Sequence, residues 1–237
     1  MPELPNHLVI FAKAPSMGRV KTRLGRDIGM AAAWAFYRQC LATISRRLAA
    51  DPRWRTWLAI TPDDAPCPPG LPANITLMAQ GGGDLGTRMG NTMADLPPGP
   101  VAIIGTDIPD ITRTLIAQAF DALGHTDAVF GPATDGGYWL AGCRRRPRLP
   151  DMFRDVRWST EHALSDTLAN VAGEGLSARL LDTLEDVDDG ASYERWRQRP
   201  CRSVTPFAVT GYPVVERPSD RRGISSTKLQ GLWRISS

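Results

Sequence analysis

The sequence predicts an α/β fold with a mostly parallel central sheet and helices on both of its faces. Short apolar runs typical of buried strands alternate with longer segments in which apolar residues recur every three or four positions. Such alternation indicates strand–helix–strand units, which cover both faces of a parallel sheet. At 237 residues, with 42% hydrophobic and 22% charged residues, the chain can bury one substantial core. We therefore predict one domain with an appendage.

The individual elements follow from these patterns. The predicted strands are Leu8–Ala12, Thr56–Ile60, Ile75–Ala79, Val101–Thr106, Ala128–Gly131, Tyr138–Ala141 and Ala178–Asp182. The predicted helices are Met30–Leu48, Thr112–Leu123 and Thr160–Val171, the last capped by Ser159 or Thr160. After about residue 203 the pattern decays, although Val204–Val215 could add a strand. We divide the chain into a domain over residues 7–200 and a poorly ordered C-terminal tail over residues 201–237.

Composition excludes several classes of protein. No apolar run approaches the roughly 20 residues that span a bilayer, and the N-terminus lacks the pattern of a signal peptide. The four cysteines and three histidines are too scattered for a disulfide framework or a histidine-based metal motif. The arginine cluster over residues 144–148 lacks the interleaved aromatic residues of a nucleic-acid surface. We expect a cytoplasmic protein that binds neither membrane nor nucleic acid.

A basic loop follows the first predicted strand. Lys13, Lys21 and Arg23 surround Gly18 in the segment Phe11–Leu24, which leads from this strand toward a helix. Cationic turns at the carboxyl end of a first parallel strand hold phosphates in α/β proteins. An ordinary surface charge cluster is the alternative, but the strand-to-helix position favours phosphate binding by these residues.

An aspartate ends a buried strand in the middle of the chain. Asp107 follows the apolar run Val101–Thr106, and Pro109 then stops strand pairing. A carboxylate at the carboxyl end of a central parallel strand faces the ligand crevice. Magnesium takes one or two protein carboxylates together with phosphate oxygens and water. Asp107 is thus the first predicted metal ligand and Asp110 a weaker second, with a cap for the helix near Thr112 as the alternative role.

Two further acidic segments are candidates for the same site. Asp135 precedes Gly136 and Gly137, which would let the main chain approach a ligand closely. A plain hairpin turn has the same sequence pattern, so this segment alone does not decide its role. Asp186 and Asp188 come directly after the last predicted strand and could supply a second ligand for a nucleotide-bound metal ion.

The segment Gly81–Gly86 offers a different interpretation. It matches the G-x-G-x-x-G pattern of a dinucleotide-binding turn, and Asp107 follows about twenty residues later. However, a complete strand–loop–helix unit with its own basic loop precedes this segment, which therefore does not open the fold. An NAD(P)-binding enzyme stays a remote alternative.

Five motifs occur in the same order as in one bacterial family: Ala12-Lys-Ala-Pro-x-x-Gly-x-Val-Lys-Thr-Arg-Leu24, Asp84-Leu-Gly-x-Arg-Met89, Gly105-Thr-Asp-Ile-Pro109, Gly131-Pro-Ala-x-Asp-Gly-Gly-Tyr138 and Trp158-Ser-Thr160. Through them, residues 7–200 resemble glycosyltransferases of the nucleotide-diphospho-sugar transferase superfamily that are associated with arsenosugar biosynthesis and radical-SAM enzymes. The chain is more distantly similar to the guanylyltransferases of molybdenum cofactor and 2-phospholactate. The resemblance implies the GT-A fold, a Rossmann-like three-layer sandwich, and a metal-assisted nucleotide donor.

Position by position, the resemblance implies three kinds of site residue. Asp107 matches the metal-binding aspartate, and Asp84 and Arg88 fall in the motif expected to line the nucleotide. Asp186 and Asp188 keep two aspartates of the family, but the Thr-Pro-Glu-Asp that normally follows is missing. The identity of the second metal ligand therefore stays open. The phosphate loop of the family is matched by Lys13, Lys21 and Arg23.

The leading interpretation is a metal-dependent glycosyltransferase with a nucleoside diphosphate sugar donor, Mg²⁺ or Mn²⁺, and a small-molecule acceptor. Metal and basic loop would neutralise charge on the leaving diphosphate, and Asp135 is the candidate general base. A nucleotidyltransferase that releases pyrophosphate is the alternative, although Ala-Lys-Ala-Pro stands where such enzymes carry Gly-Gly-x-Gly-x-Arg. A catalytically silent nucleotide-binding protein is a third possibility. Donor base, donor sugar, acceptor, stereochemistry and oligomeric state are left open by the sequence.

Overall fold

The computed structural model describes residues 4–146 and 148–199, together with the main chain of residues 214–215. Within these residues the chain forms one sheet of eight strands in the order β3-β2-β1-β4-β6-β5-β7-β8. The strands are β1 (Asn6–Lys13), β2 (Trp54–Thr61), β3 (Thr76–Ala79), β4 (Val101–Ile104), β5 (Ala128–Pro132), β6 (Tyr138–Cys143), β7 (Ala178–Leu180) and β8 (Val214–Val215). All seven predicted strands are therefore confirmed as elements.

In the described part of the chain six helices accompany the strands: α1 (Thr22–Ile28), α2 (Met30–Ala49), α3 (Leu85–Asp95), α4 (Arg113–His125), α5 (Ala163–Gly173) and α6 (Gly190–Gln198). The three predicted helices correspond to α2, α4 and α5. The predicted cap of α5 is wrong, because His162 is the cap residue. Thr160 instead accepts a hydrogen bond from the His162 N–H at 3.2 Å, in the turn that precedes the helix.

The sheet separates two apolar layers, because successive side chains of a strand point to opposite faces. In β1, Leu8 and Ile10 pack in one layer with α2 and α4, whereas Val9 packs in the other with α3 and α5. The result is the predicted three-layer α/β/α sandwich.

The strand β6 runs antiparallel between β4 and β5, and β8 pairs antiparallel with β7. The other pairings, β1 with β2 and β4, β2 with β3, and β5 with β7, are parallel. The predicted mostly parallel sheet is thus confirmed, with a β5–β6 hairpin inserted near its centre. This hairpin brings its turn to the same edge as the carboxyl ends of β1 and β4.

The arginine cluster over residues 144–148 binds its own chain. Arg144 donates to the carbonyls of Leu123 and Gly124 at 2.9 Å each. Arg145 donates to four main-chain carbonyls between residues 93 and 99, and Arg148 forms an ion pair with Glu174 at 3.0 Å. These charges fasten the segment after β6 to the ends of α3, α4 and α5.

The C-terminal end of the chain lies mostly outside the described residues. The predicted tail over residues 201–237 falls there, except for the main chain of β8, which lies within the predicted strand Val204–Val215 and pairs with β7. Among the residues that the structure describes, no helix has the length and apolar character needed to cross a membrane.

Candidate active site

Loops from several strands meet at the carboxyl-end edge of β1 and β4. The N–H of Val187 donates to the carbonyl of Asp107 at 3.0 Å, which joins the loop after β7 to the loop after β4. The N–H of Thr134 donates to the carbonyl of Leu184 at 3.1 Å, which joins the hairpin turn to the same loop. Acidic residues from three separate segments are therefore held at one edge of the sheet.

Lys21 lies at the centre of this edge. Its Nζ is 2.6 Å from Oδ1 of Asp107 and 2.5 Å from Oδ1 of Asp188. The Lys21 side chain is 4% exposed, whereas those of Asp107 and Asp188 are 51% and 44% exposed. The ammonium therefore lies beneath two carboxylates that remain accessible from solvent.

The local backbone and packing explain why Lys21 points inward. Lys21 precedes α1 with φ 48° and ψ 44°, a left-handed conformation that is uncommon for residues other than glycine. The helix α1 is fixed to the acidic loop by a small apolar cluster that includes Leu24 and Val187, and by a 2.7 Å hydrogen bond from the Gly190 N–H to Asp27. The two segments that carry Lys21 and Asp188 are thus held together by contacts other than the ion pair itself.

Electrostatics keep this lysine charged. Burial disfavours the ammonium, but Asp107 and Asp188 outweigh that effect and raise the pKa of Lys21 above its ordinary value. Burial alone would raise the pKa of Asp188, but the attraction of the Lys21 ammonium outweighs it, so the pKa of Asp188 is lowered. At neutral pH the group is therefore an ammonium between carboxylates.

Asp186 behaves differently from Asp188. Its burial, followed by repulsion from Asp188 and Asp135, raises the pKa of Asp186 above its ordinary value. The Lys21 ammonium makes no ion pair with Asp186 among the described contacts, which join it to Asp107 and Asp188. Asp186 is therefore a half-buried carboxyl beside Asp188 that keeps its proton to a higher pH than an ordinary aspartate.

Two of the predicted metal ligands, Asp107 and Asp188, lie together at this edge. Asp107 and Asp188 share one cation, so their two oxygens are at most about 5.1 Å apart, the sum of the two distances to Nζ. Residues 4–146 and 148–199 contain no group of three or more His, Cys, Asp or Glu arranged to hold a metal ion. Two carboxylates are nevertheless enough for Mg²⁺ or Mn²⁺ when phosphate oxygens and water complete the shell. The Asp107–Asp188 pair fits a nucleotide-bound metal ion, and Asp110 instead pairs with Arg199.

Asp135 lies in the turn of the β5–β6 hairpin. Its Oδ1 accepts a 2.9 Å hydrogen bond from the Gly137 N–H, and Gly136 has φ +86°. A Cβ on Gly136 would lie 2.4–2.7 Å from main-chain atoms of Glu161. The turn is therefore rigidly seated, with the exposed Asp135 carboxylate at the site edge.

The remaining residues of the basic loop are open to solvent. Lys13, at the end of β1, and Arg23, in the first turn of α1, are exposed, and Arg23 is close enough to Asp188 to lower its pKa. Gly18 has φ +76° and no atom within 4 Å of a Cβ built on it. The loop thus presents cations and an open glycine toward solvent beside the acidic pair.

Tyr37, from α2, was not predicted from the sequence. Its hydroxyl donates to the Lys13 carbonyl at 2.8 Å and accepts from the Lys13 N–H at 2.9 Å. The Thr106 hydroxyl, beside Asp107, donates to the same oxygen at 3.4 Å. Burial raises the pKa of Tyr37 to about 12, so the phenol stays protonated at neutral pH. Tyr37 therefore joins the end of β1 to the loop after β4.

We expect Tyr37→Phe to lower the free energy of unfolding by about 1–3 kcal/mol, because two partly buried main-chain groups of Lys13 lose their partner. Urea denaturation measures the change. The matched control is Tyr193→Phe: within the described residues the Tyr193 hydroxyl makes no hydrogen bond, and the ring packs against Phe36 and Trp196. Equal losses for the two variants would contradict a specific role of the Tyr37 hydroxyl.

Asp84 and Arg88 lie apart from Lys21 and its two carboxylate partners, at the start of the helix α3 that follows the edge strand β3. Asp84 caps α3 by accepting from the Thr87 N–H at 2.8 Å, and Thr87 lowers the pKa of Asp84. Arg88 donates to Oε1 of Gln80 at 2.7 Å. The buried Gln80 amide in turn donates to the carbonyls of Ala12 and Ala59 at 2.9 Å each.

Gln80 thus connects this second group to the ends of β1 and β2. The sequence gives no periodic signal for such a residue, because a buried glutamine bonded to main chain resembles any polar residue after a strand. The two bonds from the Gln80 amide to main-chain carbonyls hold its side chain in place, and with it the Oε1 atom to which Arg88 donates.

The geometry argues against the dinucleotide interpretation of Gly81–Gly86. That segment follows β3, at the edge of the sheet, and β2 and β1 separate β3 from β4, which precedes Asp107. A dinucleotide fingerprint instead requires its acidic residue close to the glycine-rich turn, within one strand–helix–strand unit. Asp107 is too far across the sheet for that role.

The chain is similar to one family of bacterial proteins and to several solved structures. The model of the family DUF2064, described as "uncharacterized protein conserved in bacteria", matches residues 43–160. A solved structure from Desulfovibrio desulfuricans G20, described as a "putative nucleotide-diphospho-sugar transferase", is 33% identical with a TM-score of 0.72. The alignment covers 78% of this chain and 82% of that one. The chain belongs to the DUF2064 family. The DUF2064 match includes Asp84, Asp107 and Asp135, whereas Lys21 and Asp188 lie outside it.

More distant solved structures share the fold of this DUF2064 protein. One is 4-diphosphocytidyl-2C-methyl-D-erythritol synthase from Anaerococcus prevotii DSM 20548, which is 12% identical with a TM-score of 0.52 over 82% of this chain and 99% of that one. Another is the bifunctional IspDF of Campylobacter jejuni, 9% identical with a TM-score of 0.51 over 81% and 54% of the two chains. No curated protein matches the sequence. The comparisons confirm the predicted fold class and support a transferase.

Proposed function

We propose that this chain is a metal-dependent glycosyltransferase that uses a nucleoside diphosphate sugar and a small-molecule acceptor. The observation that carries the proposal is the convergence of Asp107 and Asp188 on one buried cation, beside an exposed basic loop. The 33% identical relative described as a nucleotide-diphospho-sugar transferase supports the donor class. We also propose that the chain belongs to the branch of these transferases that is associated with arsenosugar biosynthesis.

The metal ion would be Mg²⁺ or Mn²⁺, held by Asp107 and Asp188, with the half-buried Asp186 beside Asp188. When bound, it supplies positive charge to the diphosphate as that group leaves the sugar.

The basic loop binds the diphosphate in this proposal. Lys13 and Arg23 are exposed on either side of the open Gly18 turn, so phosphate oxygens can approach them and the main chain. Charge-assisted hydrogen bonds of this kind are about twice as strong as neutral ones. Lys21 belongs to the same loop and is the cation closest to the acidic pair.

Asp135 is the proposed general base. As the acceptor hydroxyl attacks the anomeric carbon, its proton passes to the Asp135 carboxylate, and the bond to the diphosphate breaks with its electron pair going to the leaving oxygen. The hydrogen bond from Gly137 and the fit of Gly136 against Glu161 orient this carboxylate. Because the turn is held in this way, the Asp135 carboxylate keeps a fixed position relative to the proposed donor site.

The nucleoside would lie toward β3, near Asp84 and Arg88. The bonds that join Arg88 to Gln80, and Gln80 to the ends of β1 and β2, give this part of the site a fixed frame. On this proposal the transferase domain spans residues 7–200, and residues 201–237 form a tail whose described part, β8, pairs with β7.

The test is a panel of nucleoside diphosphate sugars incubated with purified protein, with and without Mn²⁺. We expect slow, Mn²⁺-dependent release of nucleoside diphosphate without pyrophosphate, because water can replace an absent acceptor at low efficiency. Products are separated by ion-exchange chromatography.

Two controls make this panel decisive. Asp107→Asn protein, prepared in the same way, reports any contaminating hydrolase. Nucleoside triphosphates with and without sugar phosphates test the nucleotidyltransferase alternative: release of pyrophosphate, with no turnover of any nucleotide sugar, would overturn the glycosyltransferase assignment. Nucleotide binding without turnover of either substrate class would favour the catalytically silent alternative.

A further inference from the structure

The position of Lys21 leads to an inference that rests on the proposed function and goes further. The Lys21 ammonium occupies the space between the two carboxylates that would hold the divalent cation, at 2.6 and 2.5 Å from their oxygens. These are direct ionic contacts, so a metal ion cannot bridge the same two oxygens while Nζ stays between them. Like charges at such a separation also repel strongly.

We propose that Lys21 competes with the divalent cation for Asp107 and Asp188 in the free protein, and moves to the diphosphate when the donor binds. Lys21 thereby acts as a positioning residue: it keeps two acidic side chains together before the metal ion arrives. It also makes metal binding depend on the diphosphate.

The loop has the features that such an exchange requires. Lys21 follows the open Gly18 turn and carries a long flexible side chain, and the carboxylates it binds are about half exposed. The exposed Arg19 and Arg23 flank it in sequence, so a diphosphate bound by this loop would offer Lys21 a new anionic partner. The left-handed backbone at Lys21 is an uncommon conformation that the surrounding packing must maintain, as is frequent at functional sites.

Removal of the ammonium gives a test with a characteristic sign. We expect Lys21→Gln to bind Mn²⁺ alone at least about tenfold more tightly than the wild type, although the same change weakens binding of inorganic pyrophosphate. Electron paramagnetic resonance titration of free Mn²⁺ measures the first quantity, and calorimetry measures the second. A residue that only stabilised the fold would not strengthen metal binding.

The matched control is Arg23→Gln, which removes a positive charge from the same loop without touching the two carboxylate contacts. We expect less than about a threefold gain in Mn²⁺ affinity for this variant. Equal gains for the two variants would show general electrostatic repulsion and overturn the proposal. An unchanged or lower affinity in Lys21→Gln would also overturn it.

A second measurement uses the wild-type chain and does not depend on the folding of a variant. The chain has three lysines, Lys13, Lys21 and Lys228, so acetylation of Lys21 can be followed by mass spectrometry. We expect saturating Mn²⁺ to raise the Lys21 rate severalfold, and pyrophosphate added with Mn²⁺ to lower it again, with Lys228 as the reference because the proposed site assigns it no role. A Lys21 rate unaffected by saturating Mn²⁺ would contradict displacement. Neither measurement uses turnover, so failure of the proposed reaction and failure of the exchange are distinguishable.

Discussion

Asp107→Asn is expected to lose the Mn²⁺-dependent part of donor affinity while the fold is retained. The Asp107 side chain is half exposed and contacts only the Lys21 ammonium among the described ion pairs, so it contributes little to the core. A neutral amide removes one of the two carboxylates available to the metal ion. Contacts to charged groups are worth roughly 1.5–3 kcal/mol, so affinity should fall by about ten- to a hundredfold. Calorimetry with Mn²⁺ and a nucleotide sugar measures the loss.

The control for this experiment is Asp110→Asn, three residues further along the same loop. Asp110 pairs with Arg199 at the end of α6 and makes no described contact with Lys21. We expect unchanged Mn²⁺ affinity and a stability loss below about 1 kcal/mol, as is usual for partly exposed ion pairs. Undiminished metal-dependent affinity in Asp107→Asn would remove Asp107 from the site, and a loss confined to Asp110→Asn would restore Asp110 as the ligand.

Gly136→Ala is expected to destabilise the protein by about 2–4 kcal/mol. A left-handed φ costs a residue with a Cβ roughly 1–2 kcal/mol, and here the Cβ would also meet main-chain atoms of Glu161 at 2.4–2.7 Å. Main chain cannot turn away as the tip of a side chain can, so the hairpin turn or the segment before α5 must shift. Urea denaturation gives the loss of stability.

Gly124→Ala is the matched control because Gly124 lies in α4 with no atom within 4 Å of the added carbon. Alanine is the better helix former, so this variant should be unchanged or more stable by up to about 1 kcal/mol. A Gly136→Ala protein as stable as the wild type would show that the turn is not seated against Glu161. The predicted role of Asp135 would then lose its orienting frame.

The sheet could be predicted from sequence because its strands are almost fully apolar, as in β4, where all four residues are buried. Helices with a continuous apolar stripe, such as α2, were equally clear. Two of the three helices that the sequence did not predict lack that signal. The helix α1 has seven residues and no side-chain cap, and α6 is mostly polar. In α3, Gly86 lowers helix propensity, yet a Cβ there would meet Phe153 and Trp158, so close packing explains the glycine.

The site was only partly accessible to sequence reasoning. The positions of Asp107, Asp135 and Asp188 after strands indicated that they share an edge, because carboxyl ends of parallel strands lie together. The ion pairs of Lys21 could not be predicted, since they depend on the left-handed turn before α1 and on a partner 167 residues away. Tyr37 and Gln80 were missed for the same reason: a buried hydroxyl or amide that satisfies main-chain groups leaves no pattern along the chain.

The insertion of β6 has a consequence for how the molecule assembles. The strand order places β1 to β4 in one half of the sheet and β5 to β8 in the other, and the contact between β4 and β6 is the seam between them. Lys21 and Asp107 come from the first half, whereas Asp188 follows the second. The site is therefore complete only when the two halves have joined. A ligand bound across the seam would hold both halves together, so occupancy protects the whole chain from unfolding.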